Sequence, residues 1–202
     1  MFYRPSEGHG LPRNPFTALI APRPIGWIST RGADGSENLA PYSFFNAVSY
    51  TPPQVMFCTT GSKPDRDGGK DSLANIRETG VFCVNIVSKA LLHAMNTSSG
   101  PWPREVDEFR LAGLERTECL TIPCSRVAAA PAALECRLTQ IVPLAGTANT
   151  MAIGEVIGIH ISDACLIDGR FAAETYVPVA RMGYQDYVFA DAPFALARPD
   201  ET

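Results

Sequence analysis

Residues 25–60 read IGWISTRGADGSENLAPYSFFNAVSYTPPQVMFCTT, and the order of strand and turn signals within them decides the fold class. Residues 25–30 (IGWIST) are β-branched and aromatic, and Gly32, Asp34 and Gly35 follow at once. That pattern predicts a strand ending in a hairpin turn. The return segment, residues 39–48, pairs with it, and Pro52 and Pro53 close it before a further β-rich run over residues 54–60. Three strands are therefore expected before any helix.

Outward from this stretch the period changes. Leu73, Ile76 and Arg77 fall at helical spacing after an Asp71/Ser72 cap, and Gly80 stands where a left-handed residue ends a helix. Residues 81–87 (VFCVNIV) form a nearly continuous apolar run, as a central strand requires. Ser88 is expected to cap a second short helix carrying Leu91, Leu92 and Met95. Residues 96–103, rich in Ser, Pro and Gly, read as a long surface loop of the kind that carries function. Further on, Leu134, Cys136 and Leu138 alternate with Glu135, Arg137 and Thr139, and residues 152–161 (AIGEVIGIHI) return after Gly146 and Asn149. Together they predict a long antiparallel hairpin, whose Gly154 and Gly158 require close packing or a bend. At the other end, Pro5, Gly8, Gly10, Pro12 and Pro15 make residues 1–19 an extended arm. No repeat or linker interrupts residues 1–202, so a single domain is expected. The sum is a mainly β chain with short helices, best closed as an antiparallel barrel.

Composition removes several function classes. Hydrophobic residues make up 46% and charged residues 19%, the balance of a globular chain, and a net charge of −4 offers no basic face for nucleic acid. The uncharged run 38–62 could span a bilayer by length, but Pro41, Pro52, Pro53, Asn46 and Gln54 interrupt it, so no membrane helix is expected. Residues 1–17 carry Arg4, Glu7, His9 and Arg13 with no apolar stretch before a cleavage site. A cytoplasmic protein with six reduced cysteines follows. Cys119 and Cys124 have no second Cys or His pair nearby, so no metal site is expected. His9, His93 and His160 stand in no ligand spacing, and no hydrolase signature occurs.

Two local signals bear on chemistry. Residues 61–72 (GSKPDRDGGKDS) join a β run to a helix and carry Ser62, Lys63, Arg66, Lys70 and Ser72, the donors and cations that suit a phosphate at a helix start. Asp65, Asp67 and Asp71 cancel those cations, so a solvated surface loop is the competing reading, and the Walker pattern is absent. The second signal is residues 21–27 (APRPIGW) with residues 39–46 (LAPYSFFN). There Tyr42, Phe44 and Phe45 beside Ser43 and Asn46 could line a flat, partly polar ring or fill a barrel core.

The strings APRPIGWIST, NLAPYSFFN with a following SYTPP, KDSLANI and VFCVNI resemble the flavin reductase-like family of FMN-binding split barrels. The resemblance is dense over residues 20–87 and is anchored later by Gly154-Glu155-Val156 and residues 176–187. It implies a split β-barrel of Greek-key type and a homodimer with FMN near the subunit boundary. Tyr42, Ser43, Phe44, Phe45 and Asn46 would meet the isoalloxazine, with Arg23, Pro24 and Ile25 close by. Ser62, Arg66, Lys70, Asp71 and Ser72 would hold or shape the phosphate site, and Arg181 would approach from the C-terminal segment. Ser72 stands where the family often has Thr, and Tyr184 where it often has Gly. The implied activity is hydride transfer from NAD(P)H to flavin N5, which the cofactor performs and the protein orients. A monooxygenase or other redox partner would take the electrons. The alternatives are a flavoredoxin-like FMN electron carrier fed by a partner protein, and a ligand-binding barrel without redox work.

Overall fold

The computed structural model describes residues 1–63 and 69–199. A 3-10 turn (Pro5–Glu7) and the single-turn α1 (Phe16–Leu19) precede β1 (Arg23–Pro24), β2 (Gly26–Arg31) and β3 (Glu37–Tyr42). The hairpin turn between β2 and β3 lies where expected, with Gly35 at φ +84°. The return segment differs from expectation. It breaks at Ser43 and Phe44 into β3 and a separate β4 (Phe45–Tyr50), and β4 pairs with β5 (Pro53–Thr59), not with β2. The reason is parity. Tyr42 and Phe45 both pack on the same core, yet an unbroken strand would send residues three apart to opposite faces.

Next come α2 (Asp71–Thr79), β6 (Val81–Ile86) and α3 (Leu92–Thr97). Gly80 ends α2 at φ +73°, its amide donating to the Ile76 carbonyl at 2.8 Å. Neither expected side-chain cap forms. Lys70 is the residue before α2 and Asp71 and Ser72 are engaged elsewhere, while Ser88 bridges Pro178 ahead of a 3-10 turn (Lys89–Leu91) that runs into α3. The chain continues through α4 (Glu108–Leu111), β7 (Arg116–Glu118), β8 (Ser125–Val127) and the long hairpin β9 (Ala132–Pro143) and β10 (Thr150–Ile161). It ends with β11 (Leu166–Ile167), β12 (Arg170–Phe171), β13 (Val179–Arg181) and β14 (Tyr187–Phe189).

Seven strands form one antiparallel sheet in the order β3-β2-β6-β9-β10-β5-β4. Its edge strands are consecutive in the chain, and the sheet curls around one core of Ile28, Val55, Phe57, Phe82, Val84, Cys136, Ala152 and Val156, with Ile76 entering from α2. The Tyr42 and Phe57 rings lie 4.8 Å apart, which joins β3 to β5 across the opening. This is the split barrel expected from the sequence, mainly β with short helices.

Gly154 supplies the close approach its position required, because a Cβ there would sit 2.5 Å from the Phe82 ring. The β9–β10 register shifts beside Gly154 and again beside Gly158, bending the hairpin around the core. A second core lies on the outer face of the sheet, where Trp27, Leu39, Val87, Met95, Phe109 and Val127 pack under α3 and α4. β2 is buried on both sides for this reason, with Trp27 outward and Ile28 inward. The Trp27 indole donates to Ser98 Oγ at 2.9 Å. Among the described residues no helix is long and apolar enough to cross a membrane.

Candidate functional site

Between β1, β13 and the outer core lies an open cleft of about 860 Å³. Arg23 stands at its base. β1 pairs with β13 so that Arg23 faces Arg181 directly, and two guanidinium groups share the wall. Arg23 is buried, and most of its donors are already spent. One terminal nitrogen binds the Thr17 and Ile20 carbonyls, the other donates to the Met182 carbonyl at 2.9 Å, and Nε reaches Ser43 Oγ at 3.4 Å. Desolvation, followed by the charge of Arg181, lowers its pKa. Arg23 thus ties α1 and the C-terminal segment to the mouth of the barrel and makes the cleft electropositive. Arg181 is more open; it donates to the Tyr184 carbonyl at 2.5 Å and lies 4.5 Å over the Tyr187 ring.

The remaining wall joins Tyr184, already marked in the sequence, to residues that were not placed at the site. α3 contributes His93 and Asn96, and the C-terminal segment contributes Tyr184 and Gln185. The signal for α3 was the long polar loop that follows it, whose Ser99 also lines the cleft. Tyr184 adopts φ +58°, a left-handed conformation that favours glycine, and Arg13 lies 5.7 Å from its ring. That backbone is the physical reason a glycine suits this position.

A smaller recess of about 100 Å³ adjoins the cleft, and Pro41 and Ser99 line both. Tyr42, Lys70 and Asp71 line it, with Lys63, Trp102 and Glu108. Behind Tyr42 the Ser72 hydroxyl is fully enclosed, accepting from Asn38 Nδ2 at 2.8 Å and from the Tyr42 hydroxyl at 3.1 Å. Burial pushes the Tyr42 phenol up to about 12, against the opposing bond to Ser72. Asp71 is not an open group, because Lys63 Nζ pairs with it at 2.5 Å and both are buried. Glu108 accepts from the Leu39 amide at 3.0 Å, and burial raises its carboxyl to about 7.

Three features of this end suit an anion. Lys70, the residue before α2, gives the helix no side-chain cap. Lys70 is half-buried and has no ion-pair partner among the described residues. The Thr59 hydroxyl, at the end of β5 where the chain enters the same loop, is buried without a hydrogen-bond partner among the described residues.

The expected site residues therefore divide. Arg23, Ile25, Ser43 and Arg181 line the cleft, and Tyr42, Lys70 and Asp71 line the adjoining recess with Ser72 directly behind. Phe44 lies under Arg23, 6.0 Å from ring centre to guanidinium. Phe45 and Pro24 instead face an apolar groove of about 340 Å³ that shares Ile25 with the cleft, and Phe45 also covers Gly26. Asn46 is exposed on β4, its side chain accepting from the Ala47 amide, and Ser62 is exposed before the loop. Arg66 lies outside the described residues. Among those residues no group of His, Cys, Asp or Glu is arranged for a metal ion.

The flavin reductase like domain matches residues 19–175 of this chain. An uncharacterized protein of Deinococcus radiodurans is 40% identical over 160 residues, covering 76% of this chain and 68% of its own length. Among solved structures, nitrilotriacetate monooxygenase component B from Bacillus cereus superposes with a TM-score of 0.87 at 29% identity, covering 97% of this chain and 98% of the other. The 2-nitrobenzoate 2-nitroreductase of Pseudomonas fluorescens superposes with a TM-score of 0.81 at 26% identity, covering 91% and 88%.

Proposed function

Because the chain belongs to the flavin reductase-like domain family, we propose that it is an FMN-dependent oxidoreductase reduced by NAD(P)H, working as a cytoplasmic homodimer. The observation that carries this reading is the pair of joined recesses: an electropositive cleft of about 860 Å³ continues through Pro41 and Ser99 into a recess that ends at Lys70 and the start of α2. A cavity of this size is in the range that takes a cofactor-sized ligand. When bound, FMN would supply the redox chemistry by accepting a hydride from the nicotinamide and releasing the electrons to an acceptor.

The chain's own residues have binding and positioning tasks. Lys70, the first-turn amides of α2 and the neighbouring hydroxyls of Ser62 and Thr59 would take the phosphate. Tyr42 and Ser72 hold β3 against α2 and so fix the phosphate end relative to the cleft. Ser43 and Ile25, backed by Arg23 and Phe44, would receive the ring, with Arg181 on the opposite wall. Pro24, Phe45 and Asn46 would shape the adjoining face. The glycine-like turn at Tyr184 sets how much of the cleft stays open to nicotinamide. The likeness to a monooxygenase component and to a nitroreductase supports delivery of the electrons either to a partner monooxygenase or to a small organic acceptor.

A terminal monophosphate would end at Lys70 in this arrangement, whereas an adenylate would need an outlet beyond the loop. FMN is therefore expected to bind more tightly than FAD. Calorimetric titration of the apoprotein with each flavin checks this. Tighter binding of FAD, or no binding of either, would contradict the site.

A further inference from the structure

Three of the six cysteines meet at one place, none of them lining the cleft. The β7–β8 register pairs Glu118 with Ser125, and the next opposed pair is Cys119 and Cys124, with the Cys119 amide donating to the Cys124 carbonyl at 2.9 Å. Cys83, on β6, completes the group. Cys83 and Cys124 are fully buried, while Cys119 is partly exposed. The Cys124 thiol donates to the Ser29 and Ser125 carbonyls at 3.3 and 3.4 Å, and the neighbouring Cys124 and then Cys83 thiols favour the Cys119 thiolate, holding its pKa well down against burial. The neighbouring Cys119, followed by burial, raises the pKa of both partners.

The loop that carries this pair is pinned. The Leu120 and Thr121 amides donate to the Glu135 carboxylate at 2.6 and 2.7 Å, the Thr121 hydroxyl adds a further contact, and His160 Nε2 lies 2.5 Å from the same group. Burial opposes ionisation of Glu135, and those hydrogen bonds overcome it, holding the carboxyl at about 2. An ionised anchor on β9 thus fixes Cys119 opposite Cys124. No metal explains the cluster, since no described group of three such ligands has a metal-binding arrangement.

We propose that Cys119 and Cys124 are a peroxide-responsive thiol pair, in which Cys119 is oxidised first and Cys124 closes a disulfide across the β7–β8 hairpin. In the first step the Cys119 thiolate attacks one oxygen of hydrogen peroxide. The O–O bond breaks, an S–OH group forms on Cys119, and hydroxide leaves. In the second step the Cys124 sulfur attacks the Cys119 sulfur, the S–O bond breaks, and water leaves with the Cys124 proton. Two electrons pass from the pair of thiols to peroxide. Opposed residues of an antiparallel pair have Cα atoms ~4.5–5.5 Å apart, inside the ~4.4–6.8 Å range that a disulfide spans. Cys83 is the poorer partner, because its strand is held on both sides, opposite Ser29 on β2 and Glu135 on β9.

The test uses the whole protein. Trypsin cuts after Arg116 and Arg126, so Cys119 and Cys124 fall in one peptide, residues 117–126, and Cys83 in another, residues 78–89. After hydrogen peroxide and then iodoacetamide, peptide 117–126 is expected unalkylated and lighter by two hydrogens, with full alkylation restored by prior reduction. Without peroxide, at about pH 6, Cys119 should alkylate roughly tenfold faster than the partly exposed Cys58, the larger thiolate fraction being offset in part by lower nucleophilicity. In Cys124→Ser, dimedone should label Cys119 after peroxide. Persistent full alkylation of peptide 117–126, a cross-link between it and peptide 78–89, or dimedone on Cys58 in place of Cys119 would each overturn the proposal.

Discussion

Lys70→Ala is expected to raise the FMN dissociation constant about ten- to hundred-fold, because a charge-assisted contact to phosphate contributes ~1.5–3 kcal/mol. The structure makes this a clean experiment. Lys70 lies before the first residue of α2, half-buried, with no ion-pair partner among the described residues, so its loss leaves no buried charge behind. Lys63 differs, since it is paired with Asp71 inside the protein and its removal would break a buried ion pair. Titration of the apoprotein with FMN, alongside a thermal melt, separates binding from folding. A dissociation constant that stays at the wild-type value would place the phosphate elsewhere.

Phe82→Ala should destabilise the fold by ~3–5 kcal/mol, the usual cost of emptying a buried aromatic site. The Phe82 ring is fully buried at the centre of the barrel, packed edge-on to Phe57 at 5.5 Å and seated over Gly154. Gly154 has no side chain with which to refill the space, so the neighbourhood collapses poorly. For a chain of this length each kcal/mol lowers Tm by ~2–4 °C, so a drop of roughly 6–20 °C is expected. Urea unfolding checks it. A loss near 1 kcal/mol would mean that the sheet does not close around this ring.

Those two positions also mark how far the sequence can be read. The barrel was legible because its signals are local: the IGWIST strand before its turn, the αL glycine after α2, the two glycines that bend β10. The break at Ser43 and Phe44 was not, because it follows from where Tyr42 and Phe45 must both pack, and that depends on β5 and β6 arriving beside them. The candidate site divides in the same way. Lys70 and the start of α2 could be found from a cation-rich loop ahead of a helical period. His93 could not, since only the packing of α3 on the outer core brings it to the cleft with Arg23, while Asn96 and Ser99 lie in the polar stretch 96–103, which the sequence marked as functional without placing it. Arg23 carried an expectation of ligand contact, yet its donors serve three backbone carbonyls. A guanidinium's partners are a tertiary property, invisible to spacing.

The proposed reduction of bound FMN by a nicotinamide can be watched directly. Purified protein loaded with FMN, mixed anaerobically with NADH or NADPH in a stopped-flow instrument, should lose its flavin absorbance rapidly with at least one of the two. Full FMN occupancy without bleaching by either nicotinamide, under the same conditions, would contradict the reductase and leave an electron carrier in its place.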